Sequence, residues 1–429
     1  MEMIVALRHR NFRLLWIGLL VSFSGTFMQS AAVLWHVSIL VPADKRAIAL
    51  GVVGLVRIVP VIVFSLISGV AADAFDRRRL MLMTQTMMAI LAAILAVLTF
   101  RGLDAVWPIY LLTAVSAGAG AFDLPARQAL TPNLVPREHL PNAITLNSIM
   151  LQSASVAGPA LGGLILALKG VGWVYAFNAA SFLFVIGALL LMDPPRADER
   201  TGTDRVNFTV SAALEGLAFV FRAPLIRSTM LLDFFATFFS SATALLPIFA
   251  QDILQVGARG YGWLYAAPAA GALLTSAIMI PTVDWIERRG EVLIAAVAMY
   301  GAATVAFGLS RAFWLSFVCL AATGAADTVS TTFRNLIRQL ETPDRLRGRM
   351  MGVNMVFFIG GPQLGELEAG LVANWLGAVT SVVSGGLGCL AATAAIAAVT
   401  PPLRAYRRQD LPALPQEDDS SEARAGEPG

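Results

Sequence analysis

The sequence predicts an all-α membrane protein, with twelve transmembrane helices in two six-helix repeats. Three observations predict it: apolar runs long enough to cross a bilayer, a one-sided placement of basic residues, and short motifs that recur between the two halves of the chain. Of 429 residues, 57% are apolar and 14% charged, where a soluble domain carries roughly 25% charged residues. Mean hydropathy is +0.70. The segments 14–43, 139–168 and 369–403 contain no Asp, Glu, Lys or Arg. Each exceeds the roughly 20 apolar residues that a membrane-crossing helix needs. This excludes a soluble enzyme, a disordered chain and a protein held by a single anchor. The net charge of +3 is read for orientation, since where the positive charge sits sets topology.

Twelve spans follow one another near 14–40, 48–72, 80–100, 106–126, 141–168, 172–192, 226–250, 260–283, 291–310, 312–335, 350–372 and 376–399. They are helices because a helix satisfies its own backbone polar groups in lipid. A barrel would show alternating strands of about ten residues, and these runs are longer and continuously apolar. Met1–Arg13 does not read as a cleavable leader: the apolar stretch behind it is too long and ends on no small-residue cleavage site.

An even number of spans puts both termini on one side. Of the 31 Lys and Arg residues, 24 fall on the terminus side, six on the other, and Arg57 lies inside a span. That bias makes both termini cytoplasmic in a multi-pass protein of the bacterial inner membrane. Residues 1–192 and 223–400 form the two six-helix bundles, 193–222 a polar cytoplasmic linker, and 401–429 a disordered cytoplasmic tail rich in Pro, Asp, Glu and Ser.

The halves repeat. Asp73-Ala-Phe-Asp76-Arg77-Arg78 after the second span matches Asp284-Trp-Ile-Glu287-Arg288-Arg289 after the eighth, at an offset of 211 residues. Gly120-Ala-Phe-Asp123 matches Gly324-Ala-Ala-Asp327 at 204, and Gly158-Pro159-x-x-Gly162 matches Gly361-Pro362-x-x-Gly365 at 203. Parallel repeats of six helices are the plan of one large class of secondary transporters.

Gly69-Val-Ala-Ala-Asp73-Ala-Phe-Asp76-Arg77-Arg78-Arg79 resembles the signature loop of the major facilitator superfamily, with Ala74 where that pattern usually has Arg. Gly158-Pro159-Ala-Leu-Gly162-Gly163 resembles the end of the helix-5 motif of exporters in that superfamily, and the fourth span, read as 106–126, lacks its proton-linked Arg. Asn11-Phe-Arg-Leu-Leu-Trp16, Thr342-Pro-Asp344-Arg-Leu-Arg347-Gly348-Arg349, Gln363-Leu-Gly365-Glu366-Leu-Glu368 and Pro401-Pro402-Leu403-Arg404 extend the likeness along almost the whole chain. It is similar to the enterobactin-exporter-like branch. The resemblance implies efflux of a small organic molecule, siderophore or drug-like; the expectation is alternating access with proton antiport. The alternatives are an importer or lipid flippase of the same fold, or a transport-inactive sensor or scaffold that uses its tail.

Charges inside spans are costly and face a cavity or a partner. Asp233 and Asp327 lie six and seven residues from Arg227 and Arg334, roughly 10 Å from the cytoplasmic edge by helix rise. They are candidate proton carriers, or else acids paired to Arg on a neighbouring helix. Arg57 in span two and Glu366 in span eleven lie about 24–25 Å from the same edge, with Glu368 two residues beyond Glu366. The expectation is an outer gate in which Arg57 pairs with one of the glutamates. The alternative has Arg57 reaching the headgroups while the glutamates line the exit. At the inner end, Gly69, Asp73, Asp76, Arg77 and Arg78 form a gate loop, with Asp73 set against the start of helix 11. Gly158, Pro159, Gly162 and Gly163 allow close helix packing or rocking between the halves. Asp123 and Arg127 are spaced as a local helix pair. His36 is more readily a packing residue than a titrating one, and Phe234, Phe235, Phe238 and Phe239 form a stripe suited to packing.

No cofactor, metal site or nucleotide motif is expected. Cys319 and Cys389 sit alone in apolar spans, and His9, His36 and His139 are scattered. The expected partners are a small-molecule substrate and the lipid bilayer, with no nucleic acid and no nucleotide, and the chain is expected to work as a monomer.

Overall fold

A computed structural model describes residues 2–102, 104–193 and 217–408, and among these the backbone alone at 2–4, 65–74, 284 and several positions of 344–359. The described chain contains twelve long helices and no strand. They are α1 (Arg10–Leu40), α2 (Ala43–Ala74), α3 (Arg77–Phe100), α4 (Trp107–Leu130), α5 (Leu140–Lys169), α6 (Val171–Leu191), α7 (Pro224–Phe239), α8 (Gly257–Thr282), α9 (Arg289–Leu309), α10 (Phe313–Glu341), α11 (Asp344–Leu376) and α12 (Ala378–Val399). Eleven spans are long and apolar enough to cross a membrane, the seventh counted as Pro224–Ile253, which joins α7 to the turns after it. The exception, α11, has ample length at 33 residues but carries Asn354, Gln363, Glu366 and Glu368, so its polar face must turn to protein rather than lipid.

The repeat seen in sequence is a repeat in packing. In the first half α1 packs on α5 and α6, α3 on α4 and α6, α2 on α4, and α5 on α6. Shifting each label by six gives the pairings of the second half: α7 on α11 and α12, α9 on α10 and α12, α8 on α10, and α11 on α12. Two extensive seams join the halves, α2 with α11 and α5 with α8, and the same shift interchanges them.

Span seven departs from expectation. A single helix over 226–250 is predicted, but α7 ends at Phe239 and the chain continues through a 3-10 turn at Ala242–Leu245 and a π turn at Phe249–Ile253. Pro247 has no N–H to give and its ring crowds the carbonyl four residues back, which a regular helix through Thr243 cannot accommodate. The Ser241 hydroxyl donates to the Pro362 carbonyl of α11 at 3.1 Å, which occupies one polar group at the break. α4 and α10 run further than predicted, to Leu130 and Glu341. Arg127, read just past the fourth span, and Arg334, read at the end of the tenth, are therefore well inside their helices. The linker expectation falls mostly on 194–216 and the tail on 409–429, outside the described residues.

Candidate functional site: a buried charge network and a closed seam

α10 brings Arg334 and Arg338 onto one face, four residues apart and about one turn. Arg334, 1% exposed, reaches Asp233 of α7 at 3.1 Å and Asp327 of its own helix at 3.2 Å. Arg338 reaches the other Asp233 oxygen at 3.5 Å and donates to the Thr229 carbonyl at 2.9 Å and to Asn354 of α11. The two acids are unlike. Asp233 is buried and held by two guanidiniums, whereas the Asp327 side chain is 43% exposed. Asp327 lines a cavity of about 120 Å³ with Ser240, Thr243, Tyr300, Thr304 and Thr323, beside the break in span seven. Arg334 and Arg338, counted in the sequence among the charges of the terminus side, are both buried in protein because an acid on a neighbouring helix meets them.

In the first half, the repeat mate of Asp327 is Asp123. It accepts from Thr84 at 3.1 Å and Gln85 at 2.9 Å on α3. Arg127 lies over the Phe23 ring at 4.4 Å, a cation–π contact. The expected Asp123–Arg127 pair is not formed, because each finds a partner on another helix. His36 is buried and hydrogen-bonded to the Tyr175 hydroxyl at 3.1 Å. The four phenylalanines of α7 stack in two pairs, Phe234 with Phe238 and Phe235 with Phe239.

The halves meet at the end of the bundle away from the chain termini. There Arg46 pairs with Asp252 at 2.8 Å, Gln251 donates to the Ser38 hydroxyl at 2.7 Å, and the Tyr261 hydroxyl donates to the Ala31 carbonyl at 2.8 Å. A buried cluster joins Ala31 and Ala47 to Leu246, Phe249, Tyr261 and Ala373 across the same end. Near the termini the buried clusters of the described residues stay within one half. The distal end is therefore shut, while among the described residues the cores of the proximal end are separate.

Both seams close on glycine. A Cβ added to Gly163 would stand 2.6 Å from Gly262 Cα, and one added to Gly54 would stand 2.5 Å from the Gln363 carbonyl oxygen. Gly158 and Gly162 face α1 instead, where added carbons would meet the Ser24 carbonyl at 2.5 Å and Met28 Cγ at 2.7 Å. Pro159 lies between them inside α5. Arg57 and Glu366 lie on the facing helices α2 and α11 but are not an ion pair in this conformation. Arg57 donates to the Ser30 carbonyl at 3.2 Å. Glu366 is 6% exposed, with its Oε2 lacking a hydrogen-bond partner. Glu368, two residues on, is half-buried.

The candidate gate loop has a clear mechanical part. Asp76 caps α3 by accepting from the Arg79 N–H at 2.8 Å. Arg77 and Arg78 donate to the carbonyls of Ala129 and Leu190, at the ends of α4 and α6, where helix dipoles favour a cation. Gly69 and Asp73 belong to α2, and the Asp73 side chain lies outside what the structure describes.

A family model described as transmembrane secretion effector matches residues 2–421. The chain belongs to that family, a branch of the major facilitator superfamily. Among curated relatives, the enterobactin exporter EntS of Shigella boydii serotype 18 is 28% identical over 347 residues, covering 80% of this chain and 81% of the relative. EntS of Escherichia coli O1:K1 / APEC is 29% identical over 350 residues with the same coverage. Among solved structures, a bacterial homologue of the lysosomal transporter Spinster, inward-facing and unoccupied, matches with TM-score 0.67 at 14% identity, covering 92% of this chain and 96% of that one. A bacterial homologue of the iron transporter ferroportin, in an inward-facing state, matches with TM-score 0.67 at 19% identity, covering 92% and 99%. The chain is thus a multi-pass membrane transporter with the major facilitator fold.

The sequence reading found the acids but missed Arg46, Asp252, Ser38, Gln251 and Tyr261. Arg46 and Asp252 are ordinary loop charges in sequence. The polar residues of the distal ends of α1 and span seven are the one available signal for the others.

Proposed function

We propose that this transporter exports a small organic molecule, of siderophore or drug-like class, across the bacterial inner membrane by alternating access with proton antiport. The observation that carries the reading is the likeness to enterobactin exporters along four fifths of the chain. The bundles 1–192 and 223–400 rock as bodies about the α2–α11 and α5–α8 seams. The termini face the cytoplasm, so the shut distal end is the outer gate and the state described takes cargo from inside. The gate loop, with Gly69 and Asp73 meeting the start of α11, shuts the inner end in the opposite state.

Asp327 is the proton carrier of choice over Asp233. Its carboxylate reaches the cavity, whereas Asp233 is neutralised by two arginines. A proton on Asp327 removes one of the two acids on Arg334 and leaves the network with a net positive charge. An acidic cargo group can then answer that charge. The chain works as a monomer on a small-molecule substrate, without cofactor, metal or nucleotide.

The test is transport in reconstituted vesicles with an imposed pH gradient, using a catecholate siderophore and a panel of fluorescent drugs. Wild type should move cargo against a gradient of protons, and Asp327→Asn should lose the gradient dependence. Movement indifferent to the gradient would overturn proton antiport. No movement of any tested compound would overturn the assigned cargo class.

A further inference from the structure

Glu366 sits where packing has no use for a carboxylate. The 203-residue offset that aligns Gly158 with Gly361 and Gly162 with Gly365 aligns Gly163 with Glu366. The pairs behave alike in space. Gly158 and Gly162 face α1, and Gly361 and Gly365 face α7, the repeat mate of α1. Gly163 then faces the opposite half at Gly262, and Glu366 faces the opposite half at Gly54. One seam therefore closes glycine on glycine and the other closes glycine on glutamate. A Cβ on Gly54 would stand 2.8 Å from the Glu366 Cβ and 3.0 Å from its Oε2, and a Cβ on Gly51 would stand 3.0 Å from Gly370 Cα. Two helix backbones thus pinch the carboxyl group between them.

The charged groups around it do not neutralise it in this state. From α2 comes Arg57, near enough to attract Glu366 but bonded to the Ser30 carbonyl and within hydrogen-bond reach of Tyr265. From α8 come Tyr261, committed to the Ala31 carbonyl, and Tyr265. From α7 comes Asp233, itself held by Arg334 and Arg338. α12 and the 242–245 turn bring no charged residue. On α11 itself, the nearest are Glu368 and Gln363, whose Oε1 is also buried without a partner. An ionised carboxylate buried without a counter-ion is costly, and the group takes a proton instead.

We propose that Glu366 is a proton-dependent latch of the distal seam. Protonated, it lets α2 close against α11. Ionised, it demands water or Arg57 and holds the helices apart. The proton comes from water on the distal side while the seam is open and stays on the carboxyl as the seam shuts. The seam thereby senses the proton concentration of that side, independently of Asp327. The inference rests on reading the α2–α11 seam as the outer gate of a transporter driven by protons.

The test reads the seam directly and needs no cargo. Nitroxide labels are placed at Lys45→Cys and Arg259→Cys, both at the distal end, with the buried native thiols left in place. Electron–electron distances are then measured in liposomes across an acid-to-alkaline series. In wild type the short-distance population should dominate in acid. Past the midpoint the closed-to-open ratio should fall about tenfold per pH unit, the slope of one titrating group. Glu366→Gln should stay closed throughout, and Glu366→Asp should keep the response with a moved midpoint. A wild-type response in Glu366→Gln, or its loss in Asp327→Asn alone, would overturn the latch. Should Glu366→Gln fail to yield folded protein, an unmoved midpoint in Glu366→Asp would do the same. A failed cargo assay with this response intact would sink the export reading and leave the latch standing.

Discussion

Arg46 reaches Asp252 across the distal seam, from residues 206 positions apart, and this 2.8 Å ion pair ties the start of α2 to the turn that ends span seven. Asp252 is half exposed and Arg46 is 16% exposed, so solvent screens the pair and its worth is about 1 kcal/mol or less. Such a bond sets the balance between two states of a transporter without holding up the fold. Arg46→Ala should leave the melting temperature in detergent near wild type and lower the closed-to-open ratio up to roughly fivefold. The exchanged pair Arg46→Asp with Asp252→Arg should restore the ratio. Spin-label distances across the distal end would read both. A ratio unmoved by either single change would show that the apolar contacts and the Tyr261–Ala31 bond suffice.

Arg334 should behave differently because it is buried. Arg334→Met leaves Asp233 with only the longer contact to Arg338, and breaking a buried pair on one side costs about 3–5 kcal/mol. The expected result is a marked loss of thermal stability. The double variant Arg334→Met with Asp233→Asn should recover much of it, since the buried Asp233 charge is gone and the remaining acid, Asp327, opens onto the cavity. Thermal melting of the purified variants is the measurement. Equal stability of the single and double variants would mean that Arg338 alone neutralises Asp233.

Asp76 should prove to be a structural residue whatever the loop does in gating. Its carboxylate accepts from the Arg79 N–H, and Asn caps a helix about as well as Asp does. Asp76→Asn should therefore be close to neutral, while Asp76→Ala should cost about 1 kcal/mol. Thermal melting distinguishes them. Transport lost in Asp76→Asn with stability kept would show that the charge itself matters to gating.

The fold was legible because lipid imposes it: uncharged runs of spanning length admit few structures, and the recurring motifs give the six-helix period. Candidate acids were legible for the same reason, since Asp233, Asp327 and Glu366 stand out against apolar neighbours. Their partners were not. Arg334 and Arg338 lie near the C-terminal end of α10 and look like topogenic charges, and only tertiary packing against Asp233 buries them. Arg57 and Glu366 share a depth by helix rise, yet depth says nothing of azimuth or of the Ser30 carbonyl that takes the guanidinium. The break at Ser240 had one sequence signal, Pro247, inside a run otherwise apolar enough to read as a continuous helix.

The adjacent glycines Gly162 and Gly163 should separate folding from motion. Gly162 faces α1 within its own half, with Met28 Cγ 2.7 Å from an added Cβ. Gly163 faces Gly262 across the moving seam, where the nearest atom is backbone at 2.6 Å and cannot rotate away. Met28 is flexible and can yield, so Gly162→Ala should cost little, within about 1–3 kcal/mol for overpacking, and should leave the state balance alone. Gly163→Ala strains a contact that exists only when the distal end is shut, so the open state escapes the cost. The overpacking penalty then becomes a population shift, roughly fivefold to more than a hundredfold toward open for about 1–3 kcal/mol. Distances between labels at Lys45 and Arg259 should show that shift for Gly163→Ala and not for Gly162→Ala. A shift of equal size in both would mean that α5 moves against α1 as well, and that the first bundle does not rock as one body.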